Sequence, residues 1–168
     1  DEIPTGYNDS WWTSLSSGAY AVYDNNYGNL YNWYAVDDER GLCPEGWHVP
    51  TDEEMIELEA ELGMSEEEAN SEGYRGSDEG GKLKSLELWN EPNEGATNES
   101  GFNGYPGGYR LPGNGVYMHS HEIGYFWTSS LKSPSIPYSR SLYYNNSQIF
   151  RGLTLDKKTG HSVRCLQD

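Results

Sequence analysis

Gly41-Leu-Cys-Pro-Glu-Gly-Trp-His-Val-Pro-Thr-Asp-Glu-Glu54 runs on into Met55-Ile-Glu-Leu-Glu-Ala-Glu-Leu62 and Gly63, and this stretch decides how the chain folds. Thr51 followed by Glu54 is a capping box, in which each side chain can satisfy the other residue's backbone N–H. Acids fill the first turn, where the helix dipole favours them. Met55, Ile56, Leu58 and Leu62 then form an apolar stripe that stops at Gly63, so a helix is predicted over 51–62. Cys43 stands just ahead of it. The other cysteine, Cys165, closes the last apolar segment, Gly160-His-Ser-Val-Arg-Cys165.

Two cysteines separated by most of the chain match neither a redox pair nor a zinc site, which need closer spacing or more ligands. A disulfide is the simpler reading. It would tie the last strand to the segment before the helix and stabilise by about 5 kcal/mol in the chain-entropy model. Val163 and Cys165 share a strand face, so an inward thiol is geometrically reasonable. Two buried free thiols are the other reading, because free cysteine is readily buried.

At 168 residues the chain fits one domain, taken here as 1–168, with a single core. No apolar run approaches the ~20 residues of a membrane helix, and no cationic, apolar signal segment opens the sequence. Net charge is -16, and the acid is concentrated in the middle: residues 37–99 carry 20 acids against 4 bases, whereas 100–168 carry a net +4. Such a charge repels phosphate backbones and anionic lipid, so nucleic-acid and membrane partners drop out. Fourteen Tyr and six Trp against three Phe favour aromatics that carry a polar handle, and with 20 Gly the composition resembles a paratope. A small β-rich domain with tyrosines in its strands would also account for it.

Ala19–Tyr23 and Leu30–Val36 read as strands around a turn at Asp24-Asn-Asn26. Ser65 followed by Glu68 repeats the capping pattern over one or two turns. From Gly76 to Gly104 the text is a long loop anchored by Leu83, Leu86, Leu88, Trp89 and Phe102. After residue 104 comes a meander: Tyr109–Leu111 and Val116–Met118 flank a Gly113-Asn-Gly115 turn, and strands follow at 125–129, 139–144, 149–155 and 161–166. A helix followed by antiparallel strands makes the fold class α+β.

Cys43-Pro-x-Gly-Trp-His-Val-Pro-Thr-x-x-Glu54, Thr97-Asn-Glu-Ser-Gly-Phe102, Pro106-Gly-Gly-Tyr-Arg110, Tyr125-Phe-Trp-Thr-Ser-Ser130 and Ser162-Val-Arg-Cys165 together resemble the Fibrobacter succinogenes major paralogous domain over nearly the whole chain. That family is similar in turn to the C-type lectin-like fold of formylglycine-generating enzymes and of the hypervariable proteins made by diversity-generating retroelements. The resemblance implies a C-type lectin-like domain, extracellular or on the bacterial cell surface, that binds a ligand. Two departures stand out. Met55 replaces a Trp usual in the family, and the sequence starts at Asp1, downstream of the family's usual first strand, so that the chain is either a trimmed product or lacks a strand that something else supplies. A strand supplied by a neighbour would then make the domain a subunit of a fibre or other homo-oligomer.

Catalysis is not implied, since formylglycine-generating enzymes use a cysteine pair and neither cysteine here has a second one nearby. No Gly-x-Ser-x-Gly elbow, phosphate loop or His-Glu-x-x-His occurs, and acids on a solvated helix are no glycosidase dyad. The chain is therefore read as a non-enzyme without a required cofactor. Glu91-Pro-Asn93 spells a tripeptide with which mannose-type lectins hold calcium, so Glu91 and Asn93 are candidate calcium ligands, against a plain Pro-Asn turn. His119-x-His121 is a possible two-histidine metal pair, against surface histidines beside a turn. His48 and His161 are read as structural residues, and Trp33, Trp47 and Trp127 as core. The candidate binding face is on the C-terminal meander: Tyr138, Arg140, Tyr143, Tyr144, Asn145, Asn146, Gln148 and Arg151 combine aromatic platforms, forked donors and amides. Such residues dominate interface hot spots, and in the hypervariable relatives the C-terminal region binds. The expected ligand is a carbohydrate or a protein.

Overall fold

The computed structural model describes residues 2–24 and 26–168. Its elements run α1 (Asp9–Trp12), β1 (Tyr20–Asp24), β2 (Gly28–Tyr31), α2 (Trp33–Val36), β3 (Trp47–His48), α3 (Asp52–Glu61), α4 (Glu66–Asn70), β4 (Gly73–Arg75), α5 (Glu79–Leu83), β5 (Tyr109–Arg110), β6 (Tyr117–Met118), β7 (Ile123–Ser133), β8 (Ile136–Tyr143), β9 (Asn146–Leu153) and β10 (Leu166–Gln167). The class is α+β, with antiparallel sheets and few helices. The helix over 51–62 forms as read. Thr51 Oγ1 accepts from Glu54 N at 3.1 Å, Glu54 Oε2 accepts from Thr51 N at 2.8 Å, and Gly63 follows the C-cap at φ +119°.

The principal sheet has the order β4-β9-β8-β7, every neighbour antiparallel. One face packs on the helices: Phe126, Leu142 and Ile149 meet Met64, Ala69 and Leu83, with Ile56, Leu58 and Leu62 around them. A charged cluster lies on the same side. Asp52 and Glu59 of α3 face Arg75, Arg140 and Arg151 of three adjacent strands, and all five residues are buried. Arg75 holds Glu59 through two bonds of 2.8 and 3.0 Å, Arg140 reaches Glu59 and Asp52 at 2.6 Å each, and Arg151 Nε reaches Asp52 at 3.1 Å. Burial pushes the Asp52 carboxyl up, but Arg151 and Arg140 outweigh it and hold the group below its ordinary value. Planar guanidiniums suit such shared, forked bonding.

The outer edge of β7 is taken by the chain itself. Gly108 N donates to Ile123 O (2.8 Å), Ser162 N to Tyr125 O (3.0 Å), Trp127 N to Ser162 O (3.0 Å) and Ser129 N to Pro50 O (2.9 Å). The disulfide forms: Cys43 and Cys165 are bonded with their Cα atoms 5.9 Å apart, beside the β3–β10 pair.

Five expectations need correction. The strand over 30–36 ends at Tyr31, because the buried Asn32 caps α2; its Oδ1 accepts from Ala35 N (3.1 Å) and Ala19 N (3.0 Å). That local capping outweighs the strand propensity of Trp-Tyr-Ala-Val. The 76–104 loop contains α5, whose two glycines argue against a helix. They are there for contact: a Cβ on Gly80 would stand 2.3 Å from Gln148 O, and one on Gly81 2.0 Å from Gly95 O. Leu86 is 66% exposed and anchors nothing, and Trp47, expected in the core, is 44% exposed. The last strand is broken: His161 bridges Tyr31, Ser162 bridges Phe126, and only Leu166–Gln167 forms a ladder.

Candidate binding face

Alternation along strands sends one set of side chains away from the helices. The register Tyr125↔Ser141↔Phe150↔Tyr74 places these four in one row across all four strands, and Trp127↔Ser139↔Gly152 forms the next. In the first row Ser141 separates Tyr125 from the Phe150–Tyr74 pair, and in the second Trp127 is followed by the small Ser139 and Gly152. Tyr74 packs against Phe150 (centroids 5.0 Å) and Tyr143 (5.5 Å). On the other side Tyr125 meets Tyr109 (5.1 Å) edge to face, Tyr109 stacks on His119 (5.8 Å), and His161 stacks between Tyr125 (5.0 Å) and Trp127 (4.2 Å). The Phe150 ring lies over Gly152, where a Cβ would come within 2.4 Å of it.

The face is open to water at its rims. Tyr74 is 51% exposed, His119 is exposed, and Tyr109, Tyr125, Tyr143 and Phe150 are half-buried. Burial pushes the Tyr125 phenol up to about 12 and raises that of Tyr143 as well, so both hydroxyls stay protonated donors at any physiological pH. None of the cation–ring contacts among the described residues falls on these rings. His161 forms the floor. It is buried, its Nδ1 has no hydrogen-bond partner among the described residues, and burial lowers its pKa to about 3, so it is a neutral ring. The arrangement offers ring faces and neutral phenol hydroxyls, the equipment for a polar ligand with an apolar face.

The meander residues singled out from sequence separate into two groups. Tyr143 lies on this face, and Asn145 is exposed at the β8–β9 turn beside it. Arg140 and Arg151 are 1% and 8% exposed and are committed to Asp52 and Glu59, so they cannot be presented to a ligand. The reason is strand parity: both point to the helix side, where α3 supplies carboxylates. Tyr138 follows them and packs its ring under the Arg151 guanidinium at 4.6 Å. Asn146 Oδ1 accepts from Gln148 N (2.8 Å) and so braces the turn, while Gln148 Nε2 donates to Gly76 O (2.9 Å) and ties β9 to the segment after β4. Tyr144 is half-buried and its backbone is bonded to Glu122 O and Glu94 N. The face residues that sequence reading missed are Tyr74, Tyr109, Tyr125, Phe150 and His119. For the strands, the available signal was period two.

Glu91 is exposed, while Asn93 Nδ2 donates to Ser85 O (3.1 Å) and its Oδ1 is buried without a hydrogen-bond partner. Calcium takes 6 to 8 oxygens, and among the described residues no three His, Cys, Asp or Glu are grouped to hold a metal. His119 and His121 do not act as a pair. Both have positive φ (+61° and +66°), and they turn to different partners, His119 to Glu122 and His121 to Leu88 O and Tyr27.

Fold and face together define a disulfide-closed α+β domain whose antiparallel sheet carries helices on one side and aromatic rings on the other. The family model described as the Fibrobacter succinogenes major domain matches residues 3–167, and the chain belongs to that family. No curated protein and no solved structure matches the chain.

Proposed function

We propose that this chain is an extracellular binding module of C-type lectin-like fold, and not an enzyme, that takes a carbohydrate on the aromatic face of its principal sheet. The observation that carries the reading is the row from Tyr74 to Tyr125 with its neighbours Tyr143 and Tyr109: partly exposed rings with no Lys or Arg stacked on them among the described residues, of which Tyr125 and Tyr143 keep protonated hydroxyls. Sugar rings present C–H faces to aromatics and hydroxyls to phenols, so such a surface suits them. A disulfide persists in oxidising surroundings, which supports export to the cell surface or beyond. The capped helix lying on an antiparallel sheet, with the C-terminal β10 returning to β3, supports the C-type lectin-like reading.

Binding of a protein on the same face is the second reading, because Tyr and Trp also dominate protein hot spots. Assembly into a fibre by strand addition draws less support, since β7 already spends its outer edge on residues 50, 108 and 162. A glycan array probed with the purified domain, alongside a mass measurement in dilute solution, tests the proposal. Glycans bound by a monomer support it. A blank array together with oligomers would replace it with the assembly reading.

A further inference from the structure

Arg164 is anomalous in this molecule. Every other Lys and Arg among the described residues is engaged: most hold a carboxylate, while Lys84, Lys157 and Lys158 donate to backbone carbonyls. Among the described residues Arg164 finds no ion pair, hydrogen bond or ring contact, although the chain carries 27 acids. It is exposed, on the segment between Ser162 and Cys165.

That segment borders two clefts, and Arg164 lines both. One, of about 210 Å³, is walled by Met55, Leu58 and Phe102. The other, of about 250 Å³, is walled by Tyr27, Tyr105 and Phe126, with Asn103 and Ser162 between them. The carboxylate lining the first cleft, Glu54, is already held by Thr51 and by His48 at 2.9 Å, so it does not neutralise the guanidinium. In the second cleft Asn103 Nδ2 donates to the Tyr105 hydroxyl at 2.9 Å, which fixes both polar groups at the wall.

A free guanidinium is a planar fork that matches a carboxylate, and its bonds to a charged acceptor are the strong ones. Beside it stands the half-buried Tyr105 ring, backed by the buried Tyr27 and Phe126, for a sugar's apolar face, and the Tyr105 phenol and Asn103 amide for its hydroxyl groups. We propose that Arg164 is the carboxylate-binding residue of an acidic-sugar subsite, with the uronic acid ring seated in the Tyr27–Tyr105 cleft. The strongly negative chain disfavours anions in general, so a uronate would be held here by this one fork and not by a diffuse field. The subsite lies at the edge of β7 and does not rest on the reading of the aromatic face.

The test is calorimetric titration of the whole domain with a galacturonate oligomer, its methyl ester, and an acetylated peptide as free acid and as amide. The expected result is binding of the uronate alone, weakened by about tenfold or more in Arg164→Gln, partly kept in Arg164→Lys, reduced by salt, and unchanged in Tyr74→Ala. Because Arg164 is exposed and unpartnered, circular dichroism should show both Arg164 variants folded. No uronate binding, equal binding of the ester, undiminished binding by Arg164→Gln, or preference for the peptide acid would each overturn the proposal. Loss in Tyr74→Ala with Arg164→Gln unaffected would assign the ligand to the sheet face instead.

Discussion

Arg140 Nε lies 2.6 Å from Glu59 Oε1, and neither side chain is more than 1% exposed. The bond joins an inner strand of the sheet to the last turn of α3, and Asp52 repeats the link about two turns earlier, at the start of the helix. Removing one partner would leave an uncompensated buried charge, which costs more than the pair itself contributes. Glu59→Gln or Arg140→Ala should therefore lower stability by roughly 3–5 kcal/mol, read as the urea midpoint. A loss under about 1 kcal/mol would mean that water or relaxation compensates the cluster.

The two structural histidines should respond to acid in opposite senses. His161 has its pKa lowered from 6.5 to about 3 by burial, so between those values the unfolded chain binds a proton that the folded chain does not. Stability then rises with pH through that window and falls as pH drops. His161→Phe, which keeps a stacking ring, should lose less of its melting temperature between pH 7 and pH 4 than the parent. His48 has its pKa raised by Asp168 and Glu54, so its contribution is full below 6.5 and is lost as pH rises through the higher folded value. It is a third exposed, so that effect is small.

Gly81 meets Gly95 O so closely that a methyl group cannot fit without moving the backbone of the long loop. Gly81→Ala raises helix propensity yet should destabilise, by roughly 1–3 kcal/mol for overpacking. Thermal melts would show it, and a stabilised variant would mean that the α5–loop contact gives way cheaply.

Reduction of the Cys43–Cys165 bond should lower the melting temperature while leaving helix content intact, because the bond lies outside both hydrophobic clusters. The expected cost is about 2–5 kcal/mol. Two reactive thiols in the unfolded, unreduced protein would contradict the bridge.

The helix over 51–62 and the hairpin at 109–118 were legible because their signals are local: a capping box with its apolar stripe, and glycines between alternating strands. The binding face was not. Tyr143 and Arg140 are three residues apart on one strand, and only parity tells which faces a ligand and which faces Asp52. Sequence alone supplied the aromatic and Arg content but not the register, and Tyr74 joins the face through a strand of three residues inside an acidic stretch. Gly80 and Gly81 conceal α5 for a similar reason, since their use is set by a carbonyl far away in sequence.

The central claim rests on Tyr74, which is half-exposed at the end of the ring row. Titrating the parent and Tyr74→Ala with the glycans retained on an array is the direct measurement. Binding by Tyr74→Ala should be about tenfold weaker or more, as expected when a stacking ring of a binding site is truncated, at an unchanged melting temperature. Undiminished affinity in the variant would contradict it.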